Sequence, residues 1–243
     1  MIQLPTGVIV NSASVLVGGL LGAFLGNSIP ERLRTALPLT FGIASMAMGI
    51  SMIIKMHMLP PVILALLIGS AFGELICLEK GIEYCARAVQ KPLEKIFKSS
   101  GNIQNQEEFM EKFVGILVLF CVSGTGIFGA LNEGMTGDSS ILLTKSFLDF
   151  FTGGIFATGL GYMVMMICVP QFIMLMALYL SASLILPMTD VNMIADFTAC
   201  GGILMLAAGF RISGIKVFPI ANMIPALFMV MPISYLWTTF LVR

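Results

Sequence analysis

"LPLTFGIASMAMGISMIIKM", residues 37–56, is a run of twenty residues with a single charge, Lys55, near its end. At 1.5 Å per residue a helix of that length covers about 30 Å, the hydrocarbon thickness of a bilayer. Its middle, TFGIASMAMG (40–49), has a counterpart 160 positions later in CGGILMLAAG (200–209). There Gly42, Ile43, Ala47 and Gly49 fall on Gly202, Ile203, Ala207 and Gly209 without a gap. The same shift lays Asn11 on Gln171, each near the start of an apolar run.

Working outward, hydropathy and helix breakers give eight candidate spans, at about 7–26, 37–56, 60–79, 112–131, 140–168, 170–187, 195–212 and 216–238. The chain is 58% hydrophobic and 11% charged, with a mean hydropathy of +0.99. A soluble domain of 243 residues needs a more polar surface. Continuous apolar runs also argue against a β-barrel, whose strands alternate. The expected fold is therefore all-α, a polytopic membrane helix bundle of about eight spans. If the shift of 160 marks a repeat, spans 1–3 (residues 1–79) correspond to spans 6–8 (169–243). Spans 4 and 5 (112–168) would form a central hairpin between them. Corresponding spans are five apart, an odd number, so the two units would cross in opposite senses, as in many secondary transporters.

Sidedness follows from lysine and arginine. The odd-numbered loops hold ten (Arg32, Arg34, Lys80, Arg87, Lys91, Lys95, Lys98, Lys112, Arg211 and Lys216), and the opposite side holds Lys55 and Arg243. The positive-inside rule then places both termini outside the cytoplasm. The segment 80–111 is the one sizeable extramembrane piece. Within it Ile82, Cys85, Ala86, Val89, Leu93, Ile96 and Phe97 recur at helical spacing, with four basic residues off that stripe. This predicts a basic amphipathic helix on the anionic leaflet, followed by a polar connector.

Four segments resemble the bacterial inner-membrane family that includes YqgA and YdfK, a family of unknown function. They are VNSASVLVGGLLGAFLG, GSAFGELICLE, FVGILVLFCVSGTGIFGALNEGMTGDSSILLTKSFLD and CGGILMLAAGF with IANMIPALF. The resemblance covers nearly the whole chain and falls on Asn11, Glu74, Gly129, Gly134, Gly137, Asp138, Lys145, Asp149, Gly201, Gly202, Asn222 and Pro225. It departs at Asn132-Glu133, where Glu133 keeps the acidic character before Gly134, and at Asp196, where the resemblance implies glutamate. It implies a membrane protein and supplies no substrate.

The polar residues inside apolar runs are the candidate site. With a helix starting near Ser140, Lys145 lies ~8 Å and Asp149 ~14 Å along it, so Asp149 is close to mid-membrane. Each ion costs ~2.5–3.5 kcal/mol there. At i, i+4 the two can pair into a neutral unit. Asp149 and Lys145 are thus candidates for coupling to a solute or ion, with Asn11, Glu74, Gln171 and Asn222 as further ligands. A structural salt bridge is the alternative. Gly134 and Gly137 shape the preceding turn, and Asp138 or Ser139 can cap the helix. Gly69 and Gly73 form a small face that admits another helix beside Glu74. Gly18, Gly22 and Gly26 form a seam read as packing, with a homo-oligomer as one partner.

Other classes find little support. The five cysteines (Cys77, Cys85, Cys121, Cys168 and Cys200) are scattered and His57 is the lone histidine, so no metal or cofactor is expected. HExxH, P-loop and GxSxG motifs are absent, and SGTGIFG (123–129) lies within a span, so no enzyme is expected. Thirteen basic and thirteen acidic residues cancel, which removes an argument for nucleic acid. The partners expected are the lipid bilayer and a small solute or ion. A channel, or a scaffold or sensor that transports nothing, remains the alternative to a transporter.

Overall fold

The computed structural model describes residues 4–25, 28, 30–82, 84, 113, 116, 117, 119–121 and 123–241. Every regular element among them is helical. These are α1 (Thr6–Leu25), α2 (Glu31–Ile53), α3 (Leu59–Leu75), α4 (Gly124–Thr136), α5 (Ser140–Leu160), α6 (Met163–Met166), α7 (Cys168–Ile185), α8 (Val191–Ile212), α9 (Ile220–Met223) and α10 (Pro225–Phe240). A 3-10 turn, Leu186–Met188, follows α7. Among the described residues, six stretches are long and apolar enough to cross a membrane: α1, α2, α5, Met163–Ala182, α8 and Ile220–Phe240. α3 is apolar and shorter. The fold is an all-α polytopic bundle. The amphipathic helix expected over 82–98 and the connector to 111 lie outside the described residues, apart from Ile82 and Tyr84.

Local chemistry sets the helix ends. Pro60 and Pro61 open α3 within its first turn, where a missing N–H breaks no helical bond. Ser123 caps α4 by accepting from Gly126 N–H at 3.0 Å, and Gly137 closes it in the left-handed conformation (φ 77°). Asp190 caps α8 through Met193 N–H at 2.8 Å.

One boundary moves. The fifth span, expected over 140–168, ends at Leu160, because Gly161 adopts φ 62° and the chain turns there. Residues 163–166 already belong to the next stretch. Pro170, at which the sequence allows either a break between two helices or a kink in one, is the third residue of α7 and sits where its absent N–H is not needed.

Small residues decide which helices touch. Gly18 and Gly22 oppose Phe150 and Gly154, so α1 and α5 run parallel. A methyl group on Gly22 would lie 2.0 Å from the Gly154 carbonyl oxygen. Gly42 meets Gly209 and Gly49 meets Gly202, so α2 and α8 are antiparallel. Gly69 meets Ala226 and Gly73 meets Asn222, which makes α3 and α10 antiparallel as well. Gly126 approaches Leu175 while Gly134 approaches Tyr179 and Ala182, so α4 runs parallel to α7. The seam on α1 is thus used inside the chain, against α5, and is not a free oligomer face. Gly26 is outside the described residues.

Between these pairs lies the main core, in which Phe128 and Phe197 are fully buried with ring centroids 5.1 Å apart. These directions also fix the two ends of the bundle. The end where α1, α3, α5 and α8 begin is called upper here; the end where they finish is lower.

Candidate functional site

Asp149 is buried in the middle of α5, and its Oδ2 is the meeting point of three donors. Asn11 of α1 donates from Nδ2 at 2.8 Å, and Gln171 of α7 donates from Nε2 at 3.0 Å. The third donor is the Lys145 ammonium, one turn earlier on α5, which forms a salt bridge to the same oxygen. Gln171 Nε2 also donates to Asn11 Oδ1 at 2.8 Å. Asn11 and Gln171 are fully buried, and Lys145 is 3% exposed, so none of the four reaches water directly. Phe120 presents its ring to Lys145 Nζ at 5.8 Å, a weak cation–π contact. A lone buried ion would be costly, and here two opposite charges and two amides neutralise each other. The arrangement can hold a carboxylate ionised, or hold one positive charge against it.

Glu74 and Asn222 form a separate cluster at the lower end. Asn222 Nδ2 donates to Glu74 Oε2, and Asn222 Oδ1 accepts from Glu79 N–H at 2.7 Å. Glu79 in turn accepts from Arg211 at 2.9 Å. Asn222 lies in the short α9, and Pro225 starts α10, so the helix is interrupted between them. Its side chain is committed to Glu74 and Glu79 rather than to Asp149.

Two buried carboxylates at the upper end were not among the expected site residues. Glu133 of α4 accepts from the N–H groups of Gly7 and Val8 at 2.7 and 3.3 Å, and so caps α1 from another helix. Asp196 of α8 accepts from His57 and Met58 N–H at 2.9 and 2.8 Å, and from Ser234 hydroxyl at 2.6 Å, at the start of α3. In the turn between α4 and α5, Asp138 accepts from Ser140 N–H at 2.9 Å, so Asp138 rather than Ser139 provides the cap. That backbone bond, the Ser140 hydroxyl and the charge of Lys55 hold the Asp138 carboxyl below its usual range. Gly137 supplies the left-handed turn, and Gly134 admits α7.

An apolar cavity of about 690 Å³ opens between α4, α7, α8 and α10, lined by Leu131, Met135, Met193, Phe197, Leu227 and Met231 among others. None of the residues of the Asp149 cluster lines it, so this cavity and the charged cluster are different places.

Helices of this length and apolarity, with an ion pair and two amides enclosed among them, define a polytopic α-helical membrane protein. The chain belongs to the family described as "Protein of unknown function (DUF554)", whose profile matches residues 6–235. It is 49% identical over 232 residues to "Uncharacterized protein YqgA" of Escherichia coli (strain K12), covering 96% of this chain and 97% of that one. It is 29% identical over 227 residues to "Uncharacterized membrane protein YdfK" of Bacillus subtilis (strain 168), covering 91% and 92%. No solved structure matches it.

Proposed function

We propose that this chain is a small-solute or ion transporter of the bacterial inner membrane, in which Asp149 carries a proton or cation and Lys145 is its charge partner in one state. The observation that carries the reading is the pairing of residues 160 apart at buried positions. Gln171 donates to Asn11, and Ser45 Oγ donates to the Met205 carbonyl at 2.9 Å. A residue that meets its own counterpart lies on the axis of a two-fold relation. Gly42 with Gly209, and Gly49 with Gly202, are the off-axis pairs which that same relation exchanges. The antiparallel pairings of α2 with α8 and α3 with α10 fit two inverted three-span units. The central hairpin fits too, since α5 lies along α1 as α4 lies along α7. Sites of secondary transporters sit near the bilayer midplane between such units, and Asp149 is beside the Asn11–Gln171 pair.

In this reading eight spans place both termini outside the cytoplasm, by the lysine and arginine count. An alternating-access cycle would open the Lys145–Asp149 face to one side and then the other. Asn222 and Glu74, joined at the lower end with Glu79 and Arg211, serve as a closing contact on the cytoplasmic side rather than as ligands. The test is thermal stability of the purified protein against cations, amino acids and small organic acids, for wild type and Asp149→Ala. A ligand that binds only the folded state adds about 2.7 kcal/mol at one hundred times its Kd. A rise confined to wild type supports the reading. Transport that survives Asp149→Asn with the same pH dependence overturns it.

A further inference from the structure

Gln171 Nε2 serves two acceptors, Asn11 Oδ1 and Asp149 Oδ2. Its Oε1 is buried and has no hydrogen-bond partner among the described residues. A buried amide carbonyl without a donor is costly, and this one belongs to an amide that also serves a carboxylate. Asn11 Oδ1 and the Asp149 carboxylate therefore accept within one cluster, and Gln171 Oε1, on the same amide as the Nε2 that donates to both, is a third oxygen able to ligate a positive centre once that amide turns. Among the described residues, the positive charge supplied to them is the Lys145 ammonium, tethered one helical turn away.

We infer that this is an alkali-cation site in which the Lys145 ammonium stands in for the ion, so that the ion and the Lys145 proton exclude one another. The inference rests on the transport reading and narrows its substrate to a monovalent cation. One carboxylate and two neutral amide oxygens balance a single positive charge. A divalent ion would leave an uncompensated charge among apolar helices, and among the described residues no group of three His, Cys, Asp or Glu side chains gathers to hold one. Oxygen ligands suit a hard ion such as Na+ or Li+. The amides are suited to both states. Each now turns its NH2 toward an acceptor, and half a rotation about its terminal torsion presents the carbonyl instead.

When an ion takes Asp149, Lys145 loses its partner. A buried, unpaired ammonium is far more costly than a neutral amine, so the proton leaves Lys145 Nζ for water on the side to which the site is open. One positive charge enters as one leaves, and the net charge of the site is unchanged. The other titratable groups on the packed elements are Cys121, within electrostatic reach of Lys145 and Asp149, Glu133 of α4, and Cys168 and Tyr179 of α7. Glu133 is held by the start of α1. α1 contributes the uncharged Asn11 and Ser12.

Calorimetric titration of the purified full chain with NaCl, LiCl and KCl, at constant ionic strength in choline chloride, tests this. It is run at several pH values, in buffers of differing ionisation enthalpy. The expected result is one ion bound and one proton released, with the apparent Kd falling about tenfold per pH unit while Lys145 is protonated. Lys145→Met should keep the binding and lose both the proton release and the pH dependence. Asp149→Asn should abolish binding, and Cys121→Ala should leave all of it in place. Wild type alone is decisive should a variant fail to fold. No binding of any of the three ions, or binding without proton release, overturns the inference. If the ions fail while an organic solute stabilises wild type and not Asp149→Ala, this inference falls and the transport reading stands. If both fail, both fall.

Discussion

Removing one charge at a time from the Lys145–Asp149 pair should give unequal losses. With Lys145→Met, the Asp149 carboxylate keeps Asn11 Nδ2 at 2.8 Å and Gln171 Nε2 at 3.0 Å. With Asp149→Ala, the ammonium keeps only the Phe120 ring at 5.8 Å, and both amides lose an acceptor. Breaking a buried ion pair by removing one partner costs about 3–5 kcal/mol, and Asp149→Ala belongs in that range. Hydrogen bonds to a charged group are worth ~1.5–3 kcal/mol each. The two that survive in Lys145→Met should hold its loss to about 1–3 kcal/mol. The double variant should lose less than the sum, because it leaves no unpaired ion. For a chain of this size 1 kcal/mol moves the midpoint by about 2–4 °C. Asp149→Ala should therefore fall by about 6–20 °C, with Lys145→Met well above it. The assay is thermal unfolding in one detergent at pH 7 for wild type, both singles and the double. A Lys145→Met midpoint at or below that of Asp149→Ala would refute the account of who solvates whom.

Three further outcomes follow from other parts of the fold. Asp196→Ala strands two N–H groups at the start of α3 and the buried Ser234 hydroxyl, and should cost about 3–5 kcal/mol. His57→Ala should stay within about 0.5 kcal/mol, because only the His57 backbone is used; equal midpoints for the two variants would remove Asp196 as a cap. Gly49→Ala puts a methyl group 2.6 Å from the Gly202 carbonyl oxygen and should cost about 1–3 kcal/mol by forcing α2 from α8. Gly159→Ala, with open space around it, should gain up to about 1 kcal/mol from helix propensity, so opposite signs in the two midpoints are the check. Asp138 has its folded-state carboxyl depressed, chiefly by the Ser140 N–H. Its contribution is present above the unfolded value of about 3.9 and is lost as pH falls through the folded value. The stability gap between wild type and Asp138→Asn should be constant from neutral pH to about 5 and close below about 4; a gap that widens in acid would contradict that cap.

The central cluster was legible because its signals are local or periodic. Lys145 and Asp149 share a helix face by their spacing, and their depth follows from where α5 starts. Asn11 and Gln171 came together through the shift of 160. The glycines at 69 and 73 announced the close neighbour that proved to be α10. Glu133 and Asp196 were visible as acids but not as caps. Their partners are main-chain N–H groups more than 120 positions away, and every helix start offers such groups whatever its sequence. The turn at Gly161 was hidden among the glycines at 153, 154, 159 and 161, and only one of those four adopts positive φ. Pro170 drew attention because proline usually breaks a helix, yet its cost vanishes in a first turn. The α1 seam was legible as packing but not its partner, because residues 152–154, Thr-Gly-Gly on α5, form the matching small face far along the chain.

The thin match between residues 40–49 and 200–209 has a physical reason for being where it is. Gly42, Gly49, Gly202 and Gly209 are the positions at which α2 and α8 come into backbone contact. Under the inverted arrangement proposed here, each copy of that surface packs against the other copy of itself. A larger side chain on either copy closes the same gap, so the requirement for a small residue acts on both halves at once. Asn11 with Gln171 and Ser45 with Met205 are in the same position, since each residue on the axis meets its own counterpart. Asp149 comes from the hairpin outside the three-span units, and Glu74 and Asn222 lie off the axis, so nothing obliges a matching residue 160 positions away. The sequence therefore shows its symmetry where the fold needs two backbones close together, and it loses that symmetry where the charged groups lie.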